Sequence, residues 1–506
     1  MENYIRIKNN QSVPLQAIPV LTYEDFLEQN TGFMLNEANH CVNYYGVPQG
    51  DKLQLICCMA NDVEHVIYVS SSLIEKQADL PSFTARHLAF HIFEREIHEN
   101  FGVGYIDHPW LKPVRYPFDR TEKGSQIKNY PFYKIESEEL HEVGVGPIHA
   151  GIIEPGHFRF ICNGEQILHL EIQLGYQHRG IEKLFLDNKK NLQRASLAES
   201  IAGDSVAGHA VAFTNLWESL CGYNAGAALQ FTRTLALELE RIAVHTGDLS
   251  AICTDIAYQL GSSVFGRLRT PLINYFQIWC GNRLAKGLIR AGKNNFHFTN
   301  ELREQLLQLF DAYEPDFIEM YNELKRLPSA LSRLEKTGII SKELSEEIGT
   351  VGMSARASGI NRDVRFSHPH DLYSRLDHEP AIKHHGDVYS RTQIRKEEIL
   401  QSIGYIRELI QAIPHSDSQI LKRGNEEREI GEVGRGLFAI SLVEGWRGEI
   451  CHCAITNEKG DLQHYKIKDP SLHNWMALAL AVRNNEISDF PICNKSFNLS
   501  YCGHDL

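Results

Sequence analysis

Residues 175–184 read GYQHRGIEKL, and this stretch sits where the pattern of the chain changes. Before it, HFRFICNGEQILHLEIQLGY (157–176) reads as paired strands around Asn163-Gly164, a dipeptide that tolerates the positive φ of a tight hairpin turn. Beyond it, from Ile181 to about Leu344, apolar residues recur at helical spacing in long segments punctuated by Gly or Pro, as in AALQFTRTLALELERIAVHTGDL (227–249). A strand pair thus feeds a helical body. Residues 432–470 return to strand-like alternation, and a last helix is predicted near Asn474 to Arg483.

Upstream, LQLICCMANDVEHVIYVS (53–70) predicts two short strands about the polar break Asn61-Asp62. SFTARHLAFHIFEREIHENFGV (82–103) places Leu88, Ile92, Phe93 and Ile97 at helical spacing, with Ser82 as cap and Gly102 as stop. The charged, Gly- and Pro-bearing stretch that follows reads as a linker. The expected organisation is α+β: a small α+β domain over 1–120, a linker over 121–142, and a large, mainly helical domain with a peripheral β-sheet over 143–506.

A chain of 506 residues with 43% hydrophobic and 23% charged residues is expected to fold throughout, in more than one domain. Its formal charge of -13 argues against a general nucleic-acid binder, which needs a net basic face. No uninterrupted apolar run of membrane-spanning length occurs, and the amino terminus lacks a signal-like apolar core. The 11 cysteines include no C-x-x-C pair, a pattern of reduced thiols rather than of a disulfide framework or of an iron–sulfur or zinc site owned by this chain.

GYQHRGIEKL resembles a signature of the complex I 49-kDa-type subunit and of group 4 [NiFe]-hydrogenase large subunits. The likeness continues in order through ELERIAVHTGDL (238–249), RASGINRDVRFSHPHDLY (356–373), GDVYSRTQIRKEEILQSI (386–403) and LVEGWRGEICHCAI (442–455). Upstream, FHIFEREIHENFGVGYIDHPWLKPVRYP (90–117) is similar to the complex I 30-kDa-type subunit, fused ahead of the large subunit as in formate hydrogenlyase-like enzymes. The resemblance covers roughly residues 50–506. It implies a subunit of an oxidoreductase complex attached peripherally to the cytoplasmic side of the cell membrane. A small iron–sulfur subunit and antiporter-type membrane subunits are the implied partners, with electron or proton transfer coupled to ion translocation. The competing reading is a redox-inactive structural or conformational-coupling scaffold.

Relatives that carry nickel and iron hold them with two C-x-x-C pairs, because soft thiolates suit such a metal pair. Here Ala202 and Ser205 fall at the early pair, with His209 following, and Ser500 and Gly503 fall at the late pair, with Cys502 one residue off. The resemblance therefore implies no metal and no cofactor held by this chain, an iron–sulfur cluster in a partner, and a cavity for a quinone-like ligand. The chain's last residue, Leu506, follows the late motif directly, which accords with a metal-free cradle. His157, in the loop GPIHAGIIEPGHFRF (146–160), matches the family's quinone histidine, whereas Gly203 stands where its tyrosine is expected. Glu154, His157, His178, Arg179, Asp204 and His209 form the implied catalytic set for proton transfer, with Glu182 beside them. Arg179 and Glu182 also read as a structural pair at a helix start. His157, Arg356, Asp363 and Arg365 are the implied cofactor-side residues, the last three bracing the cavity and the contact with the cluster-bearing partner. Glu238, Arg241 and His245 share one helix face, either as a buried polar network or as a solvated salt-bridge face. The run His368, His370, His378, His384 and His385 is expected at the surface rather than on a metal.

Overall fold

Alternating β-branched and aromatic residues near the amino terminus build three long antiparallel strands in the computed structural model, which describes residues 3–121, 123–149, 153–412 and 430–506. Asn39–Gln49, Lys52–Asn61 and Val66–Glu75 pair in order, with Ile5–Ile7 and Val20–Leu21 both joined to the last of them. The break at Asn61-Asp62 is where the predicted pair turns. Helices Tyr23–Phe33 and His91–Phe101 contribute Phe26, Phe93 and Ile97 to a core shared with Tyr44, Leu55 and Met59.

Gly102 ends the second helix at φ 75°, as predicted, because a left-handed residue there costs glycine no Cβ clash. Ser82 is not its cap. The helix begins at His91 after a short turn at Leu88–Phe90, and the Ser82 hydroxyl donates instead to buried Glu94 at 2.6 Å.

The hairpin joins His157–Asn163 to Gln166–Gln173, with Gly164 at φ 57° in its turn. A third strand, His141–Val145, pairs with the first and begins inside the segment read as linker. Helices Val206–Leu220, Ala227–Asp255, Gln259–Cys280, Asn300–Arg326 and Val388–Gln411 form the body, packing Leu235, Leu239, Phe310, Ile399 and Ile406 into one core.

Strands Leu437–Gly445, Gly448–Thr456 and Leu462–Lys468 form the second large sheet, and Ser12–Pro14 completes its edge. Residues 12–14 thus pair with the large domain, although the sequence reading assigns them to the small one. The two sheets pack through Val42, Ile56 and Cys58 against Ile440, Cys451 and Cys453, so these thiols serve as small apolar side chains. Helix Ser471–Ala481 follows, where the last helix was predicted, and Phe490–Phe497 and Tyr501–Asp505 close the chain. Among the described residues, no helix is long and apolar enough to cross a membrane.

Candidate functional site

Two turns and the end of the chain meet around Asp204. The tight hairpin between Gly445 and Gly448 projects Trp446 and Arg447. The Arg447 guanidinium donates twice to the Asp204 carboxylate, both at 2.6 Å, once to Ser205 Oγ at 3.2 Å, and through Nε to the Asn498 carbonyl at 2.5 Å. The Trp446 indole N–H donates to the Asp204 carbonyl at 2.7 Å. A paired guanidinium fork of this kind fixes geometry as well as charge, so one arginine ties the early motif to the late one.

GYQHRGIEKL wraps the carboxyl-terminal segment. Asp505 accepts from the Gly175 and Gln177 amides, each at 2.8 Å, and the His178 ring lies 2.8 Å from the Asp505 carbonyl. Arg179 donates to the carbonyls of Ser200, Ile201 and Cys502. The expected Arg179–Glu182 pair does not form; Glu182 accepts from the Ile467 amide at 2.9 Å and from Lys466 at 3.2 Å. Glu154 accepts from the Cys502 amide at 3.3 Å.

The four positions matching the nickel ligands do not fit a thiolate-bound metal. Ser500 caps the last helix by accepting from the Gly503 amide at 2.9 Å. A Cβ built on Gly503 would meet the Asp469 carboxyl carbon at 2.7 Å, so Asp469 already fills the space a cysteine there would need. Burial pushes the neighbouring Cys502 thiol up to about 11. No group of three or more His, Cys, Asp or Glu among the described residues is arranged to hold a metal.

In place of metal ligands there is a buried chain of proton-bearing groups. Tyr465 OH lies 2.8 Å from His452 Nδ1, His452 Nε2 lies 3.1 Å from His209 Nδ1, and His209 Nε2 lies 3.0 Å from Asp469 Oδ2. The ionised carboxylate only accepts, which assigns the His209 proton to Nε2. Its Nδ1 then accepts from His452 Nε2–H, and His452 Nδ1 accepts from the phenol. Burial, reinforced by His209, holds His452 well below the ordinary histidine range and hence neutral. Burial alone would raise Asp469, but the hydrogen bond from His209 and then the Arg447 charge outweigh it and hold the group at about 2. Beside this chain, Glu240 accepts from the Ala207 and Gly208 amides at 2.7 and 3.2 Å, yet burial still pushes it up to about 8.

Arg356, Asp363 and Arg365 form a separate, fully buried group. Arg356 donates to Glu398 at 2.5 Å and to Glu444 at 2.7 Å, while Arg365 donates to Asp363 at 2.7 Å and to Glu398 at 3.2 Å. Glu238, Arg241 and His245 belong to the same network, His245 Nε2 lying 2.8 Å from Glu398; the solvated-face reading is replaced by the buried one. Burial opposes ionisation of Glu398, but Arg356, Arg241, His245 and Arg365 together hold it well below the carboxylate range. These charges tie helices Ala227–Asp255 and Val388–Gln411 to strand Leu437–Gly445.

The structure therefore gathers Glu154, His178, Arg179, Asp204 and His209 around residues 498–506, and sets Arg356, Asp363 and Arg365 apart from them. His157 opens its strand with its ring 5.2 Å from that of Phe132 and, among the described residues, contacts none of the gathered set through a hydrogen bond or ion pair. Residues 150–152 of its loop lie outside the described residues. The histidine run divides: His384 and His385 are exposed, but His368, His370 and His378 are buried, His368 against Asp62 of the small domain and the other two against Asp371 and Asp363 of the large one. Sequence reasoning missed Arg447, His452, Asp469, Glu240, Glu398 and Glu444. Glu398 had a signal, a carboxylate four residues from Ile394 and beside Ile399 on an apolar helix face.

Residues 260–505 match the family model for respiratory-chain NADH dehydrogenase, 49 Kd subunit, and residues 20–134 match that for the 30 Kd subunit. Hydrogenase-4 component G of Escherichia coli strain K12 is 27% identical over 452 residues, spanning 86% of this chain and 77% of the relative. Formate hydrogenlyase subunit 5 of the same organism is 26% identical, spanning 84% and 76%. The NADH-quinone oxidoreductase C/D protein of Phocaeicola vulgatus is 26% identical over 464 residues, spanning 85% and 87%.

Proposed function

We propose that this chain, which joins a domain of the respiratory-chain NADH dehydrogenase 30 Kd family to one of the 49 Kd family, acts in a membrane-associated oxidoreductase complex without nickel–iron hydrogen chemistry. The observation that carries the reading is the replacement at the late motif: where a metal-binding cysteine would project, Asp469 projects instead, at the end of the chain Tyr465–His452–His209–Asp469. A site stripped of thiolates but threaded by oriented donors is suited to moving protons.

In this reading the segment 498–506 would face an iron–sulfur cluster held by a small partner subunit, which would supply electrons for a quinone-like acceptor bound there. Each transfer along the relay shifts a proton by one hydrogen bond: from His209 Nε2 to Asp469, from His452 Nε2 to His209, and from Tyr465 to His452. Asp469 passes its proton on to the reduced acceptor, Tyr465 is reprotonated from outside the relay, and the two imidazoles return to their starting tautomers before the next transfer. Glu240, near neutrality in its protonation, sits beside the start of the same helix as a second proton-holding group. Antiporter-type membrane subunits would take up the coupled charge movement, with this chain peripheral on the cytoplasmic face.

The test is metal analysis and paramagnetic resonance on the native complex, followed by turnover with His209→Gln and Glu154→Ala. Iron without stoichiometric nickel is expected, with cluster signals intact in both variants and acceptor turnover lost. Stoichiometric nickel would overturn the proposal. Unchanged turnover in both variants would leave only a conformational-coupling scaffold.

A further inference from the structure

A cavity of about 260 Å³ lies between the small domain, the three-stranded sheet and helix Ser471–Ala481. Its walls include Ile92, Trp110, Tyr130, Leu174, Trp475 and Met476, an apolar and largely aromatic lining. Such a volume is below that of drug-sized sites, and its walls fit a single ring.

The polar groups facing this cavity are cationic in balance. Arg95 donates to the Lys112 and Pro113 carbonyls at 2.8 and 2.9 Å, and Arg483 contacts His169 at 3.4 Å; neither makes an ion pair with a carboxylate among the described residues. Lys112 is paired with Glu171, the one lining carboxylate. With Arg95, Arg483 and Lys112 against Glu171, the lining is net positive in a chain whose formal charge is -13. His91 adds an independent sign of a ligand: it is 3% exposed, and both of its ring nitrogens are buried without a hydrogen-bond partner. A buried polar group left unpaired costs about 1–3 kcal/mol, so its retention against this cavity points to a partner that supplies the bond.

We propose that this cavity is a binding site for a small aromatic carboxylate, its ring held among Trp110, Tyr130 and Trp475, its acid group by Arg483 and Arg95, and a ring substituent or acid oxygen by His91. Burial and the Arg95 charge keep His91 neutral, leaving it one N–H to donate and one nitrogen to accept. The site spans both domains, and lining residue His504 belongs to the same terminal helix as Cys502, with its carbonyl accepting from Arg115 of the small domain at 2.6 Å.

Isothermal titration of the full chain with benzoate, and with benzyl alcohol as its uncharged counterpart, tests this without any readout of turnover. Benzoate is expected to bind saturably and at least about 10-fold more tightly than benzyl alcohol. Arg483→Gln, at an exposed position on the rim that makes no ion pair among the described residues, should remove that preference, and Ala479→Phe, which fills the cavity, should abolish binding of both. Circular dichroism of the variants establishes that they fold. No saturable benzoate binding, equal affinity for the two probes, or benzoate binding unchanged in the folded variants would each overturn the proposal.

Discussion

Glu240 shows how a single buried carboxyl sets a pH dependence. Its ordinary value is 4.5 and burial raises it to about 8, against two backbone amides that favour the charged form. Between these values the folded chain holds a proton that the unfolded chain has released. The Glu240 contribution to stability is therefore fully present below about 4.5 and is lost as pH rises toward 8. Glu240→Gln cannot titrate, so its urea midpoint should fall less than that of the parent between pH 5 and 8. Parallel midpoint curves for the two proteins would show that Glu240 is already ionised in the folded state. Asp469 has the opposite sign: held at about 2, it contributes above the ordinary carboxylate value and loses that contribution only in strong acid.

At the scale of elements, helix Val388–Gln411 and strand Leu437–Gly445 are joined to Arg356 and Arg365 through Glu398 and Glu444. Glu398→Gln removes the charge that three arginines and His245 share, leaving the buried cations with only Glu238, Asp363 and Glu444 to offset them. A loss of about 3–5 kcal/mol by urea unfolding is expected; a loss below about 1 kcal/mol would mean that the arginines find other partners. The hairpin that carries Arg447 has its own constraint. Gly352 adopts φ 64°, and a Cβ on it would lie 2.1 Å from Gly448 Cα, so the helix Gly352–Ala357 packs on the turn with no room for a methyl group. Gly352→Ala should cost more than about 1 kcal/mol and loosen the Arg447–Asp204 clamp, which chemical-shift changes at the Trp446 indole would report. The hairpin at Gly164, the helix stop at Gly102 and the helical body were legible because each is set by local periodicity or by one residue's backbone preference. Asp469, His452 and the Ser12–Pro14 edge strand were not, because their partners lie hundreds of residues away and short strands carry no distinctive period. Ser82 misled because a serine before an apolar helical pattern also suits a hydroxyl bonded to Glu94, and only tertiary structure separates the two.

Across the whole molecule, the two domains share more than a linker. Ser12–Pro14 pairs with Leu437–Ala439, and Asn9 exchanges hydrogen bonds with the Leu442 backbone at 2.9 and 2.8 Å. Buried charges cross the same boundary: His40 lies 2.8 Å from Glu449, and Lys466 lies 2.5 Å from Glu96. Separating the domains would expose or strand each of these groups, so the cost of opening the interface rivals that of unfolding either part. The chain is accordingly expected to unfold in one transition. Trp110 reports on the small domain and Trp217, Trp279, Trp446 and Trp475 on the large one, so the fluorescence difference between the parent and Trp110→Phe isolates the small domain. Its urea midpoint should coincide with that of far-ultraviolet circular dichroism; an earlier transition in the difference signal would mean that the small domain comes apart first. His40 gives the interface a pH sign. Burial and Arg362 oppose its protonation, but Asp62 and Glu449 prevail and raise it above its ordinary 6.5. Its contribution is present below 6.5 and fades as pH rises through the folded value, so a small-domain transition that separates at all should do so at high pH, and His40→Gln should show that separation at pH 6 as well.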